Sequence, residues 1–237
     1  MNTVAQKPKT CPSHIKCCRV TIEALSAAFF APGYNNEGCA SLPVPPPSAI
    51  QGLIAAATGN PKENGFSAGW MMTSHSVYED YEKIVPARRT PKADDFEPFR
   101  NGYRLMRTPV KRKYLIEPRL TLYVEKRLAK SLFTPYHTLR LGRSQDLAWV
   151  TDIEDVLLES VSEGEVEGVV IPFPLPIGGM VSFIWLVPSS ASGYGQRRWR
   201  DPKPHAFLTK AQQLRGLQGM SFYRDATTGK SVPFYEL

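Results

Sequence analysis

Seven basic residues against one acid fall between Arg100 and Arg119, in RNGYRLMRTPVKRKYLIEPR, with Tyr103 and Tyr114 set among them. Basic groups track a phosphate backbone and interleaved rings give bases a stacking face, which holds single-stranded nucleic acid with little sequence reading. Arg100, Tyr103, Arg104, Arg107, Lys111, Arg112 and Lys113 are therefore the first candidates for contact with nucleic acid. A solvated basic hairpin is the plain alternative.

Two shorter stretches carry the same chemistry. In TLRLGRSQD, Arg140 and Arg143 flank Leu141 and Gly142, with Ser144 following; an arginine fork grips phosphate at two points, and glycine admits positive φ or close backbone approach. In QRRWR, Arg197 and Arg198 precede Trp199, a ring that either stacks a base or covers the edge of the core. A third candidate seat is the start of the helix expected in PPPSAIQGLIAAATG. Ser48 is its expected N-cap, and Ile50, Leu53, Ile54 and Ala57 recur at the spacing of one buried face. The prolines fix its first turn, leaving unpaired N–H groups that attract phosphate, with Gln51 one turn on.

For catalysis, His137 stands between Tyr136 and a run of arginines. There it suits a general acid or base for RNA cleavage through the 2′-hydroxyl, with a lysine steadying the phosphorane; the alternative is a phosphate-contacting or structural histidine. Cys11, His14, Cys17 and Cys18 are zinc-ligand types, but Cys17 and Cys18 would face opposite sides of a strand, so no metal site is expected. No phosphate loop, nucleophile elbow or dinucleotide fingerprint is present, and no cofactor is expected.

The elements that must position these residues read mostly as strands. Cys17–Ala27 is a first strand, Phe66–Val85 and KYLIEPRLTLYVEKRL are others, and Met180–Val187 is a buried one. In KYLIEPRLTLYVEKRL, Leu120, Leu122 and Val124 alternate with polar positions, as in a strand with one face buried. Pro86–Lys113 is too long for a simple turn, and the acidic segment Asp152–Glu167 is expected as a short helix and loop. Strands outnumber helices, which gives an α+β domain with a mostly antiparallel sheet.

The 237 residues carry net charge +7, with 42% hydrophobic and 22% charged residues, an ordinary globular composition. Asp152–Glu167 holds seven acids and no Lys or Arg, so the rest of the chain carries twice the net surplus and suits a polyanion. No apolar run is long enough for a membrane span and no secretory signal is seen, so a cytoplasmic protein with four reduced cysteines is expected.

Together, the apolar first strand, PVPPPSAIQGLIAAATG, YLIEPRLTLYV and PYHTLRLGRSQDLAWV resemble the Cas-five family of the CRISPR-associated RAMP superfamily over most of residues 16–187. The type I-B subunit, including those of transposon-linked Cascade complexes, is the form it most resembles. The resemblance implies a RAMP-type RRM, ferredoxin-like antiparallel sheet with a β-hairpin thumb. Residues 1–15 would be a flexible arm and 16–237 one domain, with the thumb at about 86–113 and a C-terminal extension over 188–237. It implies a non-catalytic Cascade subunit that grips the 5′ handle of the crRNA, caps the Cas-seven-type backbone filament and docks the Cas-eight-type large subunit near target DNA at the PAM-proximal end. The thumb, Ser48, Gln51 and the LGRS arginines would meet the handle. The RNP1 pattern of the RRM is absent, so binding is expected through loops and thumb. In one branch of the family this subunit cuts precursor RNA with Tyr, Lys and His; Tyr136, His137 and Lys113 make a metal-independent endoribonuclease the alternative.

Overall fold

A computed structural model describes residues 12–30, 38–39, 41–63, 65–84, 87–89, 103–105, 108–174, 181–192, 198–215 and 221–237. In chain order, β1 (His14–Ala24), β2 (Ser26–Ala27), β3 (Phe29–Phe30), β4 (Gly38–Cys39) and β5 (Ser41–Leu42) lead to α1 (Pro47–Thr58). Then come β6 (Ser67–Thr73), β7 (Ser76–Ile84), β8 (Ala87–Arg89), β9 (Tyr103–Leu105), β10 (Thr108–Ile116), β11 (Arg119–Val124) and α2 (Lys126–Phe133). The remainder is β12 (Ala148–Ser160), β13 (Glu163–Val166), β14 (Val169–Pro172), β15 (Phe183–Ser192), β16 (Arg198–Leu208), β17 (Gln212–Arg215), β18 (Phe222–Asp225) and β19 (Ser231–Glu236).

The frame is an antiparallel sheet in the order β12, β1, β11, β6, with α1 between β1 and β6 and α2 between β11 and β12. Alternation in β1 and β11 sorts side chains between two cores. Cys18, Val20, Ile22, Leu120, Leu122 and Val124 pack with Ile50 and Ile54 of α1 and Leu128 and Leu132 of α2. Cys17 and Tyr123 face the other way, onto Val156, Leu158, Tyr223 and Val232. The second core exists because β18 and β19 close the sheet into a six-stranded barrel, β19 pairing with β6 and β18 with β12. The C-terminal region is thus part of the main architecture, a role its sequence does not announce.

An excursion leaves the frame between β6 and β11. β7 and β10 form a long antiparallel hairpin in register from Ser76 opposite Ile116 to Ile84 opposite Thr108, continued by β8 with β9. The expected single strand Phe66–Val85 is therefore two strands, broken at Ser74–His75, and the arm begins ten residues earlier than 86. A separate three-stranded sheet, β14, β16, β15, covers the outer side of α1 through β15. There Ile184 and Leu186 are exposed while Val187 is buried, so this strand is only half covered, in contrast to the fully buried strand expected.

The acidic segment also differs from expectation, forming β12, a turn and β13 where a helix was expected. Its carboxylates are matched by cations across strands and from α2: Glu154 meets Arg19, Asp155 meets Lys126 and Glu159 meets Arg224. Val156 and Leu158 alternate inward, a period of two that the density of acids conceals. Cys17 and Cys18 do lie on opposite faces of β1. No helix among the described residues is long and apolar enough to cross a membrane.

Candidate nucleic-acid interface

The basic cluster of the sequence is carried by the β7–β10 arm. Lys111, Arg112 and Lys113 lie in β10, opposite Tyr81, Asp80 and Glu79 of β7. Lys111 and Lys113 are about half exposed and share one carboxylate, with Glu79 at 2.5 Å from Lys111 Nζ and 3.1 Å from Lys113 Nζ. That pairing holds the Glu79 carboxyl below its ordinary range and raises Lys111. Tyr103 and Arg104 are in β9, opposite Arg89 and Arg88, with only their backbones described, and the same holds for Arg198 at the start of β16. Arg100, Arg107 and Arg197 lie outside the described residues.

The LGRS loop is fastened to the base of this arm. Arg143 donates from Nε and Nη2 to the two oxygens of Asp146 at 2.9 and 2.7 Å, and its guanidinium lies 4.1 Å over the ring of Tyr114 in β10. Asp146 is 1% exposed and also accepts from Ser26 Oγ at 2.6 Å and from the Arg143 N–H at 3.0 Å. Burial would raise its pKa, but these donors outweigh burial and hold the carboxyl below its usual range. Gly142 takes φ +114°, and any Cβ there would run into the carbonyl oxygen of Ala28, whose N–H donates to Leu141 O at 3.2 Å. Arg143 is thus engaged as a clamp between loop, β2 and arm. Arg140 is exposed and makes no ion pair among the described residues, and Ser144 is exposed beside Gln145.

The helix start corrects one expectation. Pro46, held extended at φ −70° and ψ 162°, is the N-cap and Pro47 is the first helical residue, so Ser48 makes no capping hydrogen bond. Proline suits that first position because its fixed φ already matches the helix. The N–H groups of Ala49 and Ile50 both donate to Pro46 O, at 2.8 and 3.3 Å, so fewer donors remain free than the bare helix start implies. Trp70 Nε1 donates to Pro45 O at 2.9 Å and ties this entry to β6. Ser48 and Gln51 are half-buried on the first turns.

Tyr136 and His137 sit at the opposite end of α1. Their N–H groups donate to Ala57 O and Ala56 O at 3.0 and 2.9 Å, closing the helix C-terminus. The Tyr136 ring covers Gly59, whose φ of +71° and tight surroundings require glycine, and meets His137 edge-on at 4.7 Å. Helix rise separates this end from Ser48 by about 12 Å. The structure therefore unites the LGRS loop with the arm and sets His137 apart from Ser48. The sequence reading overlooked Tyr81 and Glu79, which β7 sets opposite Lys111 and Lys113. Among the described residues no group of three His, Cys, Asp or Glu side chains converges as metal ligands.

The sequence profile of the family described as CRISPR-associated protein (Cas_Cas5) matches residues 25–206. Similar solved structures include a CRISPR RNA-guided surveillance complex, 14% identical, with 88% of this chain and 92% of that chain covered and a TM-score of 0.47. A CRISPR protein from Archaeoglobus fulgidus is 13% identical, with 92% and 99% covered and a TM-score of 0.46. No curated protein matches the sequence.

Proposed function

Because the chain belongs to the Cas5 family of CRISPR-associated proteins, we propose that it is a non-catalytic subunit of a type I surveillance complex that holds the 5′ handle of the crRNA. In this reading it caps the filament of Cas-seven-type subunits and docks the Cas-eight-type subunit that meets target DNA near the PAM. The observation that carries it is the β7–β10 arm, which projects basic and aromatic residues from a frame braced at its base by Arg143. The strand order β12, β1, β11, β6 with α1 and α2 as crossovers supports a ferredoxin-like reading of that frame, with the arm as its thumb. The type I-B character and a transposon-linked setting are supported by the sequence resemblance alone.

A second reading, metal-independent cleavage of precursor RNA, is favoured by the exposed Tyr136 and His137 pair. Against it, Lys113 is engaged by Glu79, and Tyr136 and His137 belong to the helix end remote from Ser48. Both readings meet one experiment: purified protein in chelator is incubated with labelled precursor repeat RNA and, separately, with mature handle RNA. Retention of the handle without cutting, reduced about three- to tenfold in Arg140→Glu, is the expected result. Specific cutting of the repeat that is lost in His137→Ala would make the protein the processing enzyme.

A further inference from the structure

Strand alternation gives the arm two distinct faces. On one, Tyr78 stands opposite Tyr114 and Asp80 opposite Arg112; the Tyr114 ring is already covered by the clamped Arg143. On the other, Val77, Glu79 and Tyr81 stand opposite Leu115, Lys113 and Lys111. The first face sets one cation opposite one anion in register and has its Tyr114 ring occupied. The second places two ammonium groups on a single carboxylate and leaves the Tyr81 ring 70% exposed directly across from Lys111.

We infer that this second face is the one that receives single-stranded RNA, with Tyr81 as a stacking platform and Glu79 as a built-in phosphate substitute that disciplines Lys111 and Lys113. The inference rests on the RNA-binding reading above and names the residues that set its selectivity. Glu79 occupies the point between two lysines that a phosphate oxygen would otherwise take. An incoming strand must displace that carboxylate or accept its repulsion, and a displaced exposed carboxylate is readily hydrated. Non-specific strands, held by this face alone, bear this cost in full. A handle that also engages other surfaces overcomes it. Glu79 thereby widens the gap between handle and arbitrary RNA without touching a base. Tyr81 contributes a sequence-tolerant ring beside the phosphate seat.

The test uses the full chain, fluorescently labelled handle RNA and a scrambled strand of equal length, with dissociation constants measured between 50 and 200 mM salt. Glu79→Gln is expected to bind the scrambled strand roughly three- to tenfold more tightly at low salt, with a salt slope steeper by about 0.7 for each added phosphate contact, and so to narrow the preference for the handle. Tyr81→Ala is expected to lose roughly five- to a hundredfold in affinity for both strands, with Tyr81→Phe retaining it and Tyr78→Ala unchanged. If the parent protein retains handle RNA but Glu79→Gln changes neither affinity nor slope, the role of Glu79 is overturned and RNA binding stands. Equal losses in Tyr78→Ala and Tyr81→Ala would overturn the choice of face. A parent protein that retains neither strand would overturn the RNA-binding reading and this inference with it.

Discussion

Arg19 and Asp225, 206 positions apart in the chain, share a 2.6 Å ion pair between the first strand of the frame and the hairpin that closes the barrel. The same carboxylate oxygen accepts from Tyr123 OH at 3.0 Å, and Arg19 reaches Glu154 at 2.7 Å with its other terminal nitrogen. Thr227 completes the cluster by donating to Asp225 Oδ1 from both its N–H and its hydroxyl. One buried acid therefore joins β1, β11 and β18, while Arg19 carries the connection on to β12.

Removing that acid deprives a largely buried guanidinium of its buried partner and leaves it only the half-exposed Glu154, so Asp225→Ala is expected to lose about 3 kcal/mol of unfolding free energy at pH 7. Burial would raise the Asp225 pKa, but hydrogen bonds from Thr227, Arg19 and Tyr123 outweigh it and depress the folded value, as similar donors do for Asp146. A depressed carboxyl contributes stability in full above its unfolded pKa of about 4 and loses it as pH falls through the folded value. Denaturant titrations at pH 7, 4 and 3 should show this decline, and it should be shallower in Asp225→Asn. An identical pH dependence in the variant would refute the assignment.

The legible parts of the molecule were those whose pattern is local. Alternation in RLTLYV identifies β11, the α1 face reads directly from Ile50, Leu53, Ile54 and Ala57, and the basic density over 100–119 marks the arm. The illegible parts depend on partners remote in sequence. Glu154, Asp155 and Glu159 read as a helical or loop acid run because their cations, Arg19, Lys126 and Arg224, come from elsewhere in the chain. Ser48 had the right residue type for a cap, yet the preceding prolines moved the helix start back and left it inside the first turn. Arg143 reads equally well from sequence as a phosphate ligand; only the positions of Asp146, Ser26 and Tyr114 reveal a clamp.

The two LGRS arginines should consequently separate in experiment. Arg143→Ala leaves the buried Asp146 without its main partner and is expected to cost about 3 kcal/mol and to speed proteolysis within the arm. Arg140→Glu should leave the melting temperature within about 2 °C of the parent while weakening RNA retention. A stable Arg143→Ala protein with an equally resistant arm would show that the clamp does not brace it.

Gly142→Ala tests the loop from its backbone. Positive φ and the Ala28 carbonyl both oppose a side chain, so a loss of at least about 2 kcal/mol is expected by thermal or denaturant unfolding. A neutral outcome would mean that the loop relaxes away from Ala28 without consequence.

The thiols of β1 should be inert in the native protein. Burial, with Cys18 and Asp225 nearby, pushes Cys17 up to about 12, while burial and the hydrogen bond to Asp155 push Cys18 to about 11. Iodoacetamide at pH 8, read out by peptide mass spectrometry, should modify both at least about a hundredfold more slowly than in the denatured chain. Rapid native labelling of Cys18 would mean that its contact with Asp155 opens readily.

The barrel closes last, and this has a bearing on biosynthesis. β6 is complete by residue 73, but the strand that covers its outer edge, β19, is not made until residues 231–236. Between completion of β12 at residue 160 and synthesis of β19 the growing chain therefore carries a nearly finished sheet with one bare, apolar-backed edge, the arrangement most open to pairing with a neighbouring nascent chain. Yield in a host cell should depend on chaperones that shield strand edges during synthesis, and mutations that slow formation of the β18–β19 hairpin should lower soluble expression more than they lower the stability of the finished protein.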